Sequence, residues 1–308
     1  MIRKMNVEDV SEVQNIDKLC FNIEKYRSFE LLSCYANEGV SLVWEDNGKV
    51  AGYIFNHISG NFAWFGTFGV HPDFRGKNIG KKLIAETINM FHKDYNIKNI
   101  SLVTMPYSAY NVGFYSNLGF MPRELSVTLC KVVSIPAVCN KNNFSLEIID
   151  LQDTEKLNFL NNTAISICSS LYEGLNFTNE LYTTLNANMG TGFILYGNNV
   201  PEGFGILRNK NVFGETNTEL HLRLLVIKEN VSDYKKALDC VFSHMENISA
   251  SKDISKISVS INTAYYEIYK HLLSTHNFKI EMNSLNLSMG KDYLYTSAKG
   301  LILFKTAS

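Results

Sequence analysis

The 308-residue chain has almost no net charge: 29 basic and 30 acidic side chains leave −1. A general nucleic-acid binder needs a broad basic footprint to displace phosphate counterions, and none is present. No uninterrupted apolar run approaches the roughly 20 residues that span a bilayer. The opening MIRKMNVEDV lacks the apolar core of a secretory signal, so a cytoplasmic protein without a membrane partner is expected. Cys20, Cys34, Cys130, Cys139, Cys168 and Cys240 form no Cys-x-x-Cys pair, and free thiols in a reducing compartment are expected. His271 and His276 stand five apart, which on one helix would aim them at different faces, so no metal site is predicted. A P-loop Gly-Lys-Ser/Thr is missing as well. What remains is an ordinary globular composition, 45% hydrophobic and 19% charged, long enough for two domains.

The order of predicted elements occurs twice. In the first half, a strand at 2–5 leads to a helix at 7–20 and a hairpin. The hairpin strands, 40–44 and 50–56, flank Asn47-Gly48, a dipeptide suited to positive φ at both turn positions. A strand at 63–70, a helix to about 92, a strand at 100–104 and a short helix at 109–118 follow, with strands near 120 and at 126–132. In the second half, a strand at 146–149 and a helix at 153–171 precede a hairpin around Gly197-Asn198-Asn199. Next come a strand at 219–227 and a helix. Tyr234, Ala237, Leu238, Val241, Phe242 and Met245 mark one face of that helix. A strand at 256–261, a helix at 264–273 and strands from 278 and 285 complete the set. Gly52 aligns with Gly203, Val70 with Val226 and Tyr115 with Tyr269, which points to duplication. Residues 133–145 read as the linker.

The run Phe62 to Phe91 is the most informative stretch. It reads as a strand, a basic glycine-bearing loop and an amphipathic helix. Such a loop aims backbone N–H groups at a helix N-terminus, where the dipole favours an anion. Lys77, Lys81 and Lys82 add charge beside it. A pyrophosphate would suit the site.

The sequence Val70-His71-Pro72-Asp73-Phe74-Arg75-Gly76-Lys77-Asn78-Ile79-Gly80 resembles the Arg/Gln-x-x-Gly-x-Gly/Ala loop of the GNAT superfamily of N-acetyltransferases. Phe114-Tyr115-Ser116-Asn117-Leu118-Gly119-Phe120 resembles that family's Leu-Tyr-x-x-x-Gly-Phe signature, and the element order of residues 1–133 is similar too. The second half resembles the fold without the loop. The resemblance implies an α+β protein of two tandem GNAT-like domains, each a mixed, mostly antiparallel sheet flanked by helices. Residues 1–138 would be the catalytic domain binding acetyl-CoA. Residues 145–308 would be a degenerate, non-catalytic domain that walls the acceptor pocket.

By the same resemblance, Arg75, Gly76, Lys77, Asn78, Ile79, Gly80 and Lys81 hold the pyrophosphate of coenzyme A. The strand through Phe68 and Val70 runs beside the pantetheine arm. The Val70 N–H serves the thioester carbonyl and Tyr115 is the general acid. A phenol with a pKa of about 10 is protonated near neutrality, as that role requires. Asn78 replaces the loop's usual first glycine, and Asn tolerates the left-handed conformation better than most residues. His71, ahead of Pro72, reads as structural.

No Asp or Glu lies on the strand at 63–70 to serve as general base, so Glu24, His57 and a water relay stay open. After Val226 the second half has no glycine loop, and Ser232 or Asp233 is placed to cap the following helix. The expected activity is transfer of acetyl from acetyl-CoA to a primary amine, by direct attack in a ternary complex. The alternative is a non-catalytic acyl-CoA-binding regulatory protein. A small-molecule or peptide amine is the expected partner, and the chain is expected to be a monomer (a built-in pseudodimer) or a homodimer.

Overall fold

The structure, a computed structural model, describes residues 1–133, 143–150 and 152–307. The first half runs β1 (Ile2–Lys4), α1 (Val10–Phe21), α2 (Phe29–Asn37), β2 (Leu42–Asp46), β3 (Lys49–Ser59), β4 (Phe62–Val70), α3 (Ile79–Lys93), β5 (Asn99–Thr104), α4 (Ala109–Ser116) and β6 (Met121–Val132). The second runs β7 (Phe144–Ile148), α5 (Thr154–Leu171), α6 (Thr178–Asn186), β8 (Gly190–Gly197), β9 (Val200–Lys210), β10 (Thr216–Ile227), α7 (Tyr234–Ser251), β11 (Lys256–Asn262), α8 (Tyr266–Ser274) and β12 (Lys279–Met289). Two short elements follow, α9 (Leu294–Ser297) and β13 (Leu301–Phe304). Both hairpins turn on left-handed pairs, Asn47 and Gly48 at φ 51° and 76°, and Asn198 and Asn199 at 51° and 63°. That conformation matches the twist of the flanking strands.

The α+β class and the repeated element order are as predicted, but the sheet does not divide where the sequence repeats. The thirteen strands among the described residues form one sheet, ordered β1-β2-β3-β4-β5-β12-β6-β11-β10-β9-β8-β7, with β13 beside β10. The last strand of each repeat completes the other half's sheet. β12 pairs antiparallel with β5, β6 pairs antiparallel with β11, and the two exchanged strands pair with each other. Ser126 faces Ser284 at the centre of that pair. Most of the expected linker, 134–142, lies outside the described residues.

Helices cover both faces because alternate strand residues point to opposite sides. In the first half, Val13, Ile16, Leu31 and Leu32 pack on Tyr53 and Phe55, while Leu83, Ile84 and Phe91 pack on Ile54 and Phe65. In the second half, Leu160, Ile167 and Leu181 pack on Ile194 and Phe204. On the other face Leu238, Val241 and Phe242 pack on Phe193 and Val259. Burying each such side chain fully contributes about 1.5–3 kcal/mol.

Candidate active site

β4 and β5 run parallel but pair only over Phe62–Trp64 against Asn99–Ser101. Beyond Trp64 the two strands diverge. Residues 65–70 keep β3 on one edge and, among the described residues, have no strand on the other. A cleft of about 740 Å³ opens there. Gly66–Val70 form one wall and Val103–Met105 the other, with Arg75 at one end and Tyr115 of α4 at its side.

The loop before α3 turns on two left-handed residues, Gly76 (φ 80°) and Asn78 (φ 60°, ψ 20°). Asn78 therefore takes the backbone role that glycine usually fills. Its side chain makes no capping bond. The first helical bond is Lys82 N–H to the Asn78 carbonyl, and the amides of Ile79, Gly80 and Lys81 have no partner among the described residues. Open amides at a helix start are an anion site. Gly80 has a packing reason as well: a Cβ there would lie 3.2 Å from the Phe68 ring and 3.7 Å from Val70 Cγ2.

Phe68, Val70, Arg75, Gly76, Asn78, Ile79, Gly80, Lys81 and Tyr115 all border the cleft. Lys77 does not. Its ammonium sits 4.9 Å from the centre of the Phe74 ring, and that of Lys82 lies 5.1 Å from Trp44. Tyr115 is 8% exposed, with its ring against Phe65, Phe114 and Phe120. Its hydroxyl makes no hydrogen bond to the described residues. Burial raises its pKa, so the phenol keeps its proton at any physiological pH. His71 caps the turn after β4 by accepting from Asp73 N–H at 3.3 Å, the structural role expected of it.

The other side of the cleft comes from the second half: Met282 and Ser284 of β12, then Lys305 and Ala307 of the C-terminal tail. Among the described residues no Asp, Glu or His side chain borders the cleft. Glu24 is exposed and outside it, and His57 is buried against Glu38 at 3.2 Å with its ring stacked on Trp64. Neither base candidate is thus brought to the site. Lys305 and the tail went unanticipated from sequence. The apolar run Leu301-Ile302-Leu303-Phe304 was the available signal for a further strand.

Residues 10–120 match the acetyltransferase (GNAT) family. These residues form a GNAT domain. No curated protein sequence matches the chain. Among solved structures, one from Pyrococcus horikoshii is 13% identical, with a TM-score of 0.67 over 100% of this chain and 95% of that one. A GCN5-related N-acetyltransferase from Sphaerobacter thermophilus is 10% identical, with a TM-score of 0.61 over 100% and 98%. A tandem GNAT protein from the clavulanic acid biosynthesis pathway is 10% identical, with a TM-score of 0.61 over 95% and 99%. At these identities the likeness is one of fold, and it extends over both halves.

Outside the GNAT domain, the matching place in the second half is filled. β10 pairs with β11 only over Glu219–Leu222, as β4 does with β5, but β13 then pairs with Leu224–Ile227 and occupies the divergence. The ladders also correct two alignments. Gly52 pairs with Val70, and Gly203 pairs with Ile227, so Ile227 rather than Val226 is the counterpart of Val70. It lies 157 residues later, the same offset that separates Phe62 from Glu219 and the start of α4 from that of α8. At that offset Tyr115 corresponds to Leu272, not Tyr269. Asp233 caps α7 as expected, accepting from Lys235 and Lys236 N–H at 3.0 and 3.2 Å.

The tail that fills this divergence is held by a buried charge cluster. Arg223 donates to the carbonyls of Lys305 (3.1 Å) and Ala307 (2.9 Å), and pairs with Glu180 at 2.7 Å. Arg208 approaches the same carboxylate at 3.3 Å. Burial alone would raise the Glu180 pKa, but Arg223 and Arg208 outweigh it and hold the value at about 2. Burial, aided by Arg223, lowers the pKa of Lys305, whose ammonium donates to Met282 Sδ at 3.7 Å.

Proposed function

We propose that the chain is an acetyl-CoA-dependent N-acetyltransferase, with residues 1–138 as the catalytic domain and residues 145–308 as a non-catalytic partner. One observation carries this reading: the open amides of α3 and the unbonded Tyr115 hydroxyl share one cleft along the unpaired edge of β4. The free amides of Ile79, Gly80 and Lys81, with Arg75 beside them, suit a pyrophosphate. The edge through Phe68 and Val70 would lie along the pantetheine arm.

When bound, the cosubstrate supplies an activated thioester to a primary amine that attacks it directly. The Val70 N–H would hydrogen-bond the acyl oxygen, where negative charge develops. Tyr115 Oη would donate its proton to the leaving sulfur and be reprotonated from solvent; burial, which raises its pKa, keeps the phenol protonated until that step and makes it a weak acid for it. With no Asp, Glu or His side chain among the described residues bordering the cleft, the amine's proton would pass to water.

The test is acetyl-CoA consumption across a panel of amines, with calorimetric titration of CoA. One CoA per chain and turnover with an amine are expected. Absence of CoA binding rejects the proposal. The missing base favours a second reading, an acyl-CoA-binding regulatory protein. That reading predicts binding without turnover on any amine.

A further inference from the structure

The spacing of His271 and His276 suggested divergent side chains, and the structure corrects this. α8 ends at Ser274, so His276 lies beyond the helix, where the chain turns back and Phe278 N–H bonds the Leu272 carbonyl at 3.2 Å. Both imidazoles then converge on Asp239 of α7. Their Nε2 atoms lie 3.2 and 2.8 Å from the same carboxylate oxygen, and the three donor atoms fall within 4.8 Å of one another.

We propose that Asp239, His271 and His276 form a binding site for a divalent transition-metal ion, with zinc the best match to two imidazoles and one carboxylate. Tetrahedral zinc holds its donors at about 2.0–2.1 Å, which sets them about 3.3 Å apart and two imidazole centres about 5 Å apart. The two ring centres here are 5.1 Å apart with planes at 85°. The histidine side chains are 10% and 11% exposed and that of Asp239 is 36% exposed. Protein therefore encloses one side, and solvent can complete the coordination shell on the other. Phe242 walls the site, its ring 5.3 Å from that of His276.

Both Nε2 atoms face one Asp239 oxygen, and neither Nδ1 has a partner among the described residues, so solvent would take the outer hydrogen bonds of metal-bound imidazoles. The nearby Lys131 ammonium is paired with Glu246 at 2.5 Å. A bound ion would tie α7 to the entry of β12, the strand that crosses into the other half, and would stabilise the folded chain by mass action.

The test uses untagged full-length protein stripped with a chelator, then titrated with Zn2+ by calorimetry and with Co2+ by visible absorption. One equivalent per chain, a tetrahedral-type cobalt spectrum and a melting temperature that rises with added zinc are expected. His271→Gln and His276→Gln should each weaken binding at least tenfold, and the double variant should abolish it. Binding absent below millimolar metal, or unchanged in the double variant, overturns the site. X-ray absorption of the zinc-loaded wild type gives a readout that needs no variant: two imidazoles support the proposal, and a shell without them overturns it. CoA binding plays no part in these readouts, so this proposal and the acetyltransferase reading can fail separately.

Discussion

The two divergent strand pairs start alike and end differently. β4/β5 and β10/β11 each pair over a few residues and then part. The first divergence is a cleft, and the second contains β13. The first leads to a helix whose amides are open, and the second to a helix capped by Asp233. A tyrosine stands beside the first, and a buried leucine at the corresponding place in the second. One architecture can thus present or withhold a ligand site through a four-residue strand, one cap and one side chain.

The largest expected effect comes at the residue that most separates the halves. Tyr115→Phe should lower turnover by about 10²–10⁴-fold, the usual range for a general acid, with CoA affinity unchanged in a calorimeter. Unaltered turnover would remove Tyr115 from the mechanism and erase that part of the contrast. Next is the cluster that secures the tail. Glu180→Gln leaves two buried guanidinium groups without a counter-charge and should destabilise the fold by about 3–5 kcal/mol in chemical denaturation.

The same pair sets a pH dependence. Because the folded pKa of Glu180 is depressed to about 2, its contribution is present above the unfolded value near 4.3 and is lost as pH falls towards 2. Acid melts of wild type should show this loss, and Glu180→Gln should lack that component. Gly80→Asp places a carboxylate at the anion site and a Cβ near Phe68, and CoA binding should weaken at least tenfold. Asp233→Ala should cost about 1 kcal/mol as a lost cap, yet create no second CoA site, because β13 still fills the space. Two CoA per chain in that variant would show that the cap alone closes the second half.

Local signals in the sequence carried much of both halves. Asn47-Gly48, the basic loop and the apolar face of α7 depend on residues close together in the chain, and each appears where expected. Asn78 adopts the left-handed turn anticipated for it. The strand exchange was not legible, because β6 and β12 have the same alternation whichever neighbour they meet. Register failed for a related reason: a one-residue slip separates Val226 from Ile227, and both are apolar. The walls supplied by Lys305 and Met282, and the convergence of His271 and His276, depend on long-range folding that no local pattern encodes.

The exchange of β6 and β12 also sets the order in which the protein can be made. When the first half leaves the ribosome, β5 has no partner on one edge, since Val103 meets Asn286 only after 183 further residues have followed. Such distant pairings slow folding. An isolated copy of residues 1–133 would present β5 and β6 with no strand between them, and a second copy could supply its own β6 to fill the gap. Cut at its sequence boundary, the chain would be less a pair of domains than a pair of would-be dimers, with the duplication serving as the tether that makes the exchange intramolecular.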